Sequence, residues 1–415
     1  MMRTTPKEVT VPLEKEIRPW TADGAWCFFA DPRAVYYEGE HRRTYVGWLT
    51  RAGDVMAGFL DHDTGEMRTC TVRERLEADD HANPSLLFLE NGHLVIFYSA
   101  HGGPEMYCRI SERPESIDAW GEERTVGVNT EGRFGYTYPN PVRLAEEGHR
   151  VYLFWRGGNF KPNFAVSDDG CRSFGPVRTL LAGSGARPYI KFASDGRKRI
   201  WFAYTDGHPN VEPQNGIYCA YYEGGAVHRP DGARIKTAEE LPFAPQEAHR
   251  IYDGSDGPAW IWDIALDAAE RPVVVFSVCV ELTDHRYRYA VWTGERWETH
   301  EITAAGKWFP QTPPGAVERE PYYSGGVVLD HADPSVVYLS RETGGVFEIE
   351  EWMTADRGRT WRSSPVTAGS AKNNVRPVAV RGLPPGRREV LWMNGDYIGY
   401  RDYRTRLLYY RNAGR

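Results

Sequence analysis

Two histidines stand symmetrically about a turn: His81 opens and His101 closes the stretch HANPSLLFLENGHLVIFYSAH. Between them the apolar runs PSLLFL and LVIFYSA flank Asn91-Gly92, a dipeptide suited to the positive φ values of a tight hairpin turn. Antiparallel pairing about that turn delivers both imidazoles to the open end of the hairpin, within about one residue of register. Imidazole titrates near neutrality, so two of them on one rigid rim can serve as acid and base. The competing reading is a pair of surface histidines flanking two strands. Asp79 and Asp80 immediately precede His81, and carboxylates there either cap a turn or orient the ring.

The elements that position this pair recur along the chain. A strand-like run, a turn and a strongly apolar-aromatic run start at Arg33, Pro84, Pro141, Tyr189, Asp263, Gly326 and Arg376. Each is followed by a more polar hairpin, as in RYAVWTGERWETHEI and EEWMTADRGRTWRSS. Four strands per unit of roughly fifty residues, inner pair apolar and outer pair amphipathic, is the pattern of a β-propeller. The expectation is therefore an all-β, seven-bladed β-propeller with four antiparallel strands per blade, spanning 1–415 as one domain, its termini meeting in a closing blade with the LLYY run as a last strand. A pair of β-sandwiches would not need seven similar units. Two turns add a structural signature. Thr354-Ala-Asp356-Arg-Gly358-Arg-Thr360-Trp361 fits the aspartate box S/T-x-D-x-G-x-T-W, and Ser167 to Phe174 fits it with Cys171 in place of glycine. Such boxes bond local backbone and speak to fold, not chemistry.

In a propeller, innermost-strand starts and second-strand ends lie at the same end of the barrel. Innermost starts present His81, Tyr136 and Tyr138, Arg187 and Tyr189, Trp260 and Trp262, Tyr322 and Tyr323, and Arg376. Second-strand ends present His101, Arg156, Asp206 with His208, Arg341 with Glu342, and Asn394 with Asp396. One face thus collects arginines, histidines and tyrosines on a chain whose formal charge is −7. Guanidinium forks a carboxylate bidentately and aromatic rings suit sugar faces, so the crown suits an acidic carbohydrate. Each member also has a structural alternative: arginines in salt bridges, tyrosines packing the channel, Trp260 and Trp262 packing blades.

Composition excludes other classes. With 41% hydrophobic and 26% charged residues the chain is ordinary for a globular protein. Its acidic balance and lack of basic blocks argue against nucleic-acid binding. No apolar run reaches the ~18 residues of a membrane span. The six cysteines are scattered without metal-binding spacing, which fits a reducing compartment. The N-terminal MMRTTPKEVTVPLEKE has no signal-peptide core, so the expectation is a cytoplasmic protein if that terminus is native and a secreted one if a leader was removed.

From Trp26-Cys-Phe-Phe-Ala-Asp-Pro-Arg33 to Leu391-Trp-Met-Asn-Gly-Asp-Tyr397 the sequence resembles the BNR-repeat propellers that include polysaccharide lyases, above all seven-bladed ulvan lyases and rhamnose-glucuronate lyases. Its most specific piece is DDHANPSLLFLENGHLVIFYSAHG. The resemblance implies active-site histidines at His81 and His101, a tyrosine at Tyr138 or the nearby Tyr136, and a carboxylate-neutralising arginine at Arg156. Some relatives hold a structural metal through His and Cys. His208 and Cys219 echo this only vaguely, and no metal site is assigned.

These residues fit β-elimination on a 4-linked uronate. Arg156 and protonated His81 would hold the C6 carboxylate, His101 would take the C5 proton, and either Tyr138 would protonate the departing O4 or His101 would return the same proton. Arg187, Tyr189 and Arg376 would position the neighbouring sugar, with Tyr322, Tyr323 and Trp262 as further binding residues. No cofactor is required. The partner expected is an acidic oligosaccharide or polysaccharide. Two other classes compete: a sialidase-like hydrolase, needing paired carboxylates from candidates such as Asp206, Asp263, Glu342 and Asp396, and a non-catalytic propeller binding acidic glycans.

Overall fold

The computed structural model describes residues 16–127, 135–183, 187–309 and 322–412. Seven antiparallel sheets succeed one another along the chain. Blade 1 comprises Ala34–Glu38, Arg42–Leu49, Val55–Asp61 and Met67–Arg73, and blade 2 Ser85–Phe88, Leu94–Tyr98, Met106–Ile110 and Arg124–Val126. Blade 3 comprises Thr137–Leu144, Arg150–Arg156, Pro162–Ser167 and Arg178–Thr179. Blade 4 begins with Ile190–Ser194, Arg199–Thr205 and Ile217–Glu223. Blade 5 is Ala259–Leu266, Pro272–Glu281, Asp284–Trp292 and Trp297–Gly306, and blade 6 Val327–Leu329, Val336–Thr343, Val346–Met353 and Arg362–Pro365. Blade 7 takes Asn373–Ala379, Arg388–Gly399 and Asp402–Asn412 from the C-terminal end. Its outermost strand is Glu16–Thr21, paired with the last one from Glu16 opposite Arg411 to Thr21 opposite Leu407. The termini therefore close the ring together, and Leu407 to Tyr410 lie in that last strand, as the repeat count predicts.

Blade 4 departs from the four-strand rule. Its third strand pairs at one end with Ala226–His228 and at the other with His249–Tyr252, and Arg234–Thr237 adds a further strand. The repeat spacing widens at this point in the sequence, where the inserted hairpin sits.

The apolar second strands are what the ring is built on. Every residue of Leu94–Tyr98 is buried, as are Pro272 to Cys279 except at the strand's outer tip. Each fully buried Val, Leu, Ile or Phe contributes roughly 1.5–3 kcal/mol, so neighbouring blades cohere through continuous apolar faces. Both aspartate boxes lie on the outer turns between third and fourth strands. Asp356 accepts from the Thr360 amide at 2.8 Å, and Asp169 from the Arg172 and Ser173 amides at 3.0 and 2.9 Å. Cys171 stands at φ 63 where the other box has Gly358 at φ 89. The departure from consensus is thus an L-residue accommodated in the left-handed region, and the turn survives it.

The channel is plugged by residues 25–33. Trp26 Nε1 donates to the Arg376 carbonyl at 3.0 Å, Phe28 stacks on Trp262 at 3.8 Å, Phe29 packs on Tyr189 at 4.6 Å, and the Asp31 amide donates to Asn140 at 3.2 Å. One short segment touches blades 3, 4, 5 and 7 together only if it runs along the propeller axis. Asp31 also pairs with Arg33, Lys191 and Arg381, and Arg381 reaches Asp263, which in turn accepts from His331 at 3.0 Å. This buried ionic knot ties the plug to blades 4 to 7.

Candidate functional site

Blade 2 aligns its histidines through register. Ser85 pairs with Phe97 and Phe88 with Leu94, and continuing that register outward sets position 81 opposite 101. His81 lies in a short helical turn, Asp80–Ala82, capped by the Asp79 side chain. The two imidazoles stack at a centroid distance of 4.0 Å with 1° between their planes. Asp79 lies behind both: one carboxylate oxygen is 2.8 Å from Nδ1 of His81, the other 3.0 Å from Nδ1 of His101. Asp80 Oδ1 is 3.0 Å from the same His81 nitrogen.

Stacked at this distance, two imidazolium rings repel, and the surroundings separate their charge states. For His101, burial and the neighbouring His81 depress the pKa to about 4. For His81, burial opposes the charge, but the field of Cys27 and the hydrogen bonds to Asp79 and Asp80 raise the pKa well above the ordinary value. Burial would raise the pKa of Asp79, yet hydrogen bonds from His101 and His81 hold it below the usual carboxylate range. At neutral pH the arrangement is a cationic His81 beside a neutral His101. With Nδ1–H of His101 donated to Asp79, its Nε2 keeps the lone pair, and Nε2 has no hydrogen-bond partner among the described residues.

Blade 3 contributes Arg156, at the end of its second strand and 8% exposed. Its guanidinium donates to Tyr189 Oη at 3.1 Å and Thr137 Oγ1 at 3.4 Å and lies 4.7 Å over the Tyr138 ring. No carboxylate pairs with it among the described residues. A buried cation held only by neutral groups is poised for an anion. Tyr138 itself sits at φ 61, 5.5 Å from the His81 ring, with the Cys27 thiol donating to its hydroxyl at 3.8 Å. Burial keeps the phenol protonated, its pKa well above the ordinary value. The choice between tyrosines resolves geometrically. Tyr136 turns to the blade interior, packing on Trp155 at 5.3 Å and donating to the Gly127 carbonyl, so Tyr138 is the tyrosine that shares the space with His81 and Arg156.

The remaining sequence candidates separate into two groups. Tyr189 is in the cluster through Arg156. Arg187 is exposed, its guanidinium 4.0 Å over Phe160, with no acidic partner among the described residues. Tyr322 is half-buried at the edge of the channel core. The expectation of a larger arginine crown is corrected. Arg376 is 2% exposed and bonded to Asp80 and the Trp26 carbonyl, so it anchors the carboxylate under His81 rather than meeting solvent. Arg341 is occupied by Glu350 at 2.8 and 2.9 Å. Trp262 is 1% exposed, stacked under Phe28 and donating to Ser277, and Tyr323 stacks on Trp260 at 4.6 Å; both fill the channel. Strand position placed these side chains correctly along the axis, but the plug segment, invisible to the repeat pattern, covers them.

The rim carboxylates also change status. Asp263 is buried in the ionic knot, Glu342 meets Lys307 at 3.4 Å, Asp396 meets Lys372 at 2.8 Å, and Asp206 accepts from Gly216 and Gln246. None is paired with a second free carboxylate among the described residues. Among the described residues, two groups have metal-ligand composition, Cys27 with Asp80 and His81, and Asp79 with His81 and His101. Their carboxylates are already engaged by the imidazoles and by Arg376. His208 lies instead edge-on to Trp260 at 4.7 Å and to Tyr189 at 5.6 Å.

The strand-end rule missed Tyr400 and Arg401. The second strand of blade 7 continues to Gly399, beyond the Asn394-Asp396 end read from sequence. Tyr400 lies edge-on to both imidazoles at 5.1 and 5.9 Å, and Arg401 donates to Asp79 at 3.0 Å. Two grooves, about 500 and 610 Å³, lie on the flank between blades 2 and 3 and between blades 3 and 4, away from this cluster.

Comparison with known proteins agrees with the architecture. A PL25 ulvan lyase, solved bound to -[GlcA(1-4)Rha3S]-, superposes with a TM-score of 0.72 at 16% identity, covering 94% of this chain and 94% of its own. The polysaccharide lyase Uly1 superposes with a TM-score of 0.54 at 12% identity over 95% and 96% of the two chains. No curated protein matches at a significant level. At these identities the likeness is one of fold. The sequence profile described as BNR repeat-containing family member matches residues 43–305, more than half of the length, and the chain therefore belongs to the BNR repeat-containing family.

Proposed function

We propose that this protein is a polysaccharide or oligosaccharide lyase that cleaves a 4-linked glucuronate by β-elimination. The observation that carries the reading is the juxtaposition of two imidazoles stacked at 4.0 Å, His101 pushed toward the neutral form and His81 toward the cation, with a buried arginine that has no acidic partner among the described residues. Elimination needs these three things. The C5 proton is acidified only if charge moving into the C6 carboxylate is stabilised, which is the part of Arg156 with cationic His81. The proton needs an acceptor with a free lone pair, which is Nε2 of His101. As C5–H breaks, its electrons form the C4–C5 double bond and the C4–O4 bond leaves. O4 then takes a proton from Tyr138, whose phenol burial keeps protonated, or the proton held by His101. Arg187 and Tyr189 are suited to the neighbouring sugar.

The fold likeness to ulvan lyases agrees with this reading, and the ligand of one of them, a glucuronate linked to a sulfated rhamnose, indicates which glycans to try first. A hydrolase of the carboxylate-pair type would use two free carboxylates at set separation, and the rim acids are bonded elsewhere. A binding propeller has no use for an unprotonated imidazole beside a protonated one. The test is incubation with ulvan, gum-arabic side chains and their oligosaccharides, followed by ultraviolet absorbance of the conjugated 4,5-unsaturated uronate. A rise with new reducing ends supports elimination. Reducing ends without the chromophore would mean hydrolysis, and neither, with glycan binding intact, would mean a lectin.

A further inference from the structure

The histidine pair is contacted from the closing blade. Asp79 is fully buried and uses both oxygens on the two imidazoles. The oxygen that accepts from His101 also accepts from Arg401 Nε at 3.0 Å, and Arg401 Nη2 lies 3.5 Å from Glu77. Glu77 in turn accepts from the His101 amide at 2.7 Å. Arg401 follows the second strand of blade 7, and its neighbour Tyr400 accepts from the Asp80 amide at 2.8 Å through its carbonyl while its ring abuts both imidazoles. The closing blade is thus tied to blade 2 by backbone, ring and ion pair at the one carboxylate both histidines share.

We propose that Asp79 and Arg401 are positioning residues that decide which imidazole carries the extra proton, Asp79 by fixing both Nδ1–H groups and Arg401 by withdrawing negative charge from the oxygen that faces His101. A carboxylate serving two stacked rings would stabilise charge on either. Binding a guanidinium to one oxygen removes that equality: the His101 side becomes the less favourable place for a proton, and the His81 side, where Asp80 adds a second carboxylate, the more favourable one. The other charged or titratable groups about the pair, among the described residues, are Asp80 and Glu77 on the same segment, Tyr138 and Arg156 from blade 3, Cys27 from the plug, His208 from blade 4, and from blade 7 Tyr400 together with Arg376 and Tyr397, which hold the far oxygen of Asp80. The other Asp79 oxygen has the uncharged His81 amide as its second donor at 3.1 Å, so Arg401 is the charged group that makes the carboxylate asymmetric, while Arg156 disfavours a proton on His101 from outside it. That His101 then acts as the base rests on the elimination reading; the charge distribution does not.

The test is nitrogen NMR of histidine-labelled protein without substrate, which reads the tautomer and titration of each ring. In the wild type, His81 should stay doubly protonated through neutrality, while His101 is neutral with its hydrogen on Nδ1. Arg401 is exposed, so Arg401→Ala should fold normally. Losing a cation at this separation in a largely hydrated setting should raise the His101 titration by about half to one pH unit, and Arg401→Lys should restore most of it. In Asp79→Asn the Nδ1–H tautomer of His101 should no longer dominate, and His81 should give up its second proton at lower pH. If both rings titrate together, or Arg401→Ala leaves His101 unmoved, the proposal is wrong. A correct titration in a protein that eliminates no uronate would overturn the proposed function and leave this inference standing. With active protein, the acidic limb of kcat/KM should follow the NMR shift in Arg401→Ala.

Discussion

Replacing Arg156 is the perturbation that most directly separates elimination from its rivals. Its guanidinium is buried yet held only by the Tyr189 and Thr137 hydroxyls and the faces of Tyr138, Phe160 and Tyr189. Removing it therefore strands no buried carboxylate, and the fold should survive. An ion pair at ~4 Å with an effective dielectric of ~20 is worth about 4 kcal/mol. Much of that interaction is already made with the ground-state carboxylate, and only the increment gained as the enolate forms accelerates the reaction. Removal of one preorganised donor to a developing oxyanion typically costs about a hundred- to a thousandfold. Arg156→Ala should accordingly lose kcat/KM in that range, with a smaller loss in glycan Kd. Arg156→Lys keeps the charge but loses the fork, cannot serve both hydroxyls and the carboxylate, and should recover about tenfold at most. Initial rates come from the unsaturated-uronate absorbance, binding from calorimetry, and integrity from the thermal midpoint. A kcat/KM for Arg156→Ala within tenfold of wild type refutes the reasoning, as does comparable cleavage of a substrate whose uronate is reduced to the neutral sugar.

His101→Ala should lose about a hundred- to ten-thousandfold in turnover while circular dichroism and glycan binding persist; more than a tenth of wild-type activity would assign the base elsewhere. Tyr138→Phe should depress kcat if its hydroxyl protonates O4, whereas Tyr136→Phe should alter stability alone; equal kinetic effects would contradict the geometry. Arg376→Ala should destabilise by about 3–5 kcal/mol in denaturant unfolding, since it leaves Asp80 buried without its cation, and a loss under 1 kcal/mol would show that Asp80 is satisfied by other groups. For pH, the folded pKa of His101, His208 and His62 is depressed by burial from 6.5 to about 4, so the unfolded chain binds more protons between those values. Stability should fall as pH drops from 6.5 toward 4, while the cation at His81 contributes stability that is lost as pH rises through its elevated pKa. Unfolding midpoints flat across the acidic window would refute these shifts.

How much of this was legible in the sequence depends on which interactions obey a repeat. The blades were legible because strand pairs bury apolar residues at fixed spacing, and the same regularity gave the register that stacks His81 on His101. Tyr138 and Arg156 followed because strand ends share a face. The rule fails where the chain stops repeating. Residues 25–33 belong to no blade, yet Phe28 converts Trp262 and Tyr323 from exposed rim candidates into channel packing, and Phe29 packs on Trp260. Arg376 looked like a ligand because its position was right, but an arginine becomes a ligand only when no acid claims it, and Asp80 lies nearly three hundred residues upstream. Arg401 was missed for the complementary reason: the second strand of blade 7 runs past its apolar core to Gly399, and nothing in the alternation of IGYRDYRT marks that extension. Periodicity reports which face a side chain occupies; only the packed chain reports whether its charge is already spent. On that distinction Arg156 stands apart from Arg341, which occupies the equivalent second-strand position, and from Arg376 on an innermost strand, because its partners are two hydroxyls and three rings, leaving the charge itself for a ligand.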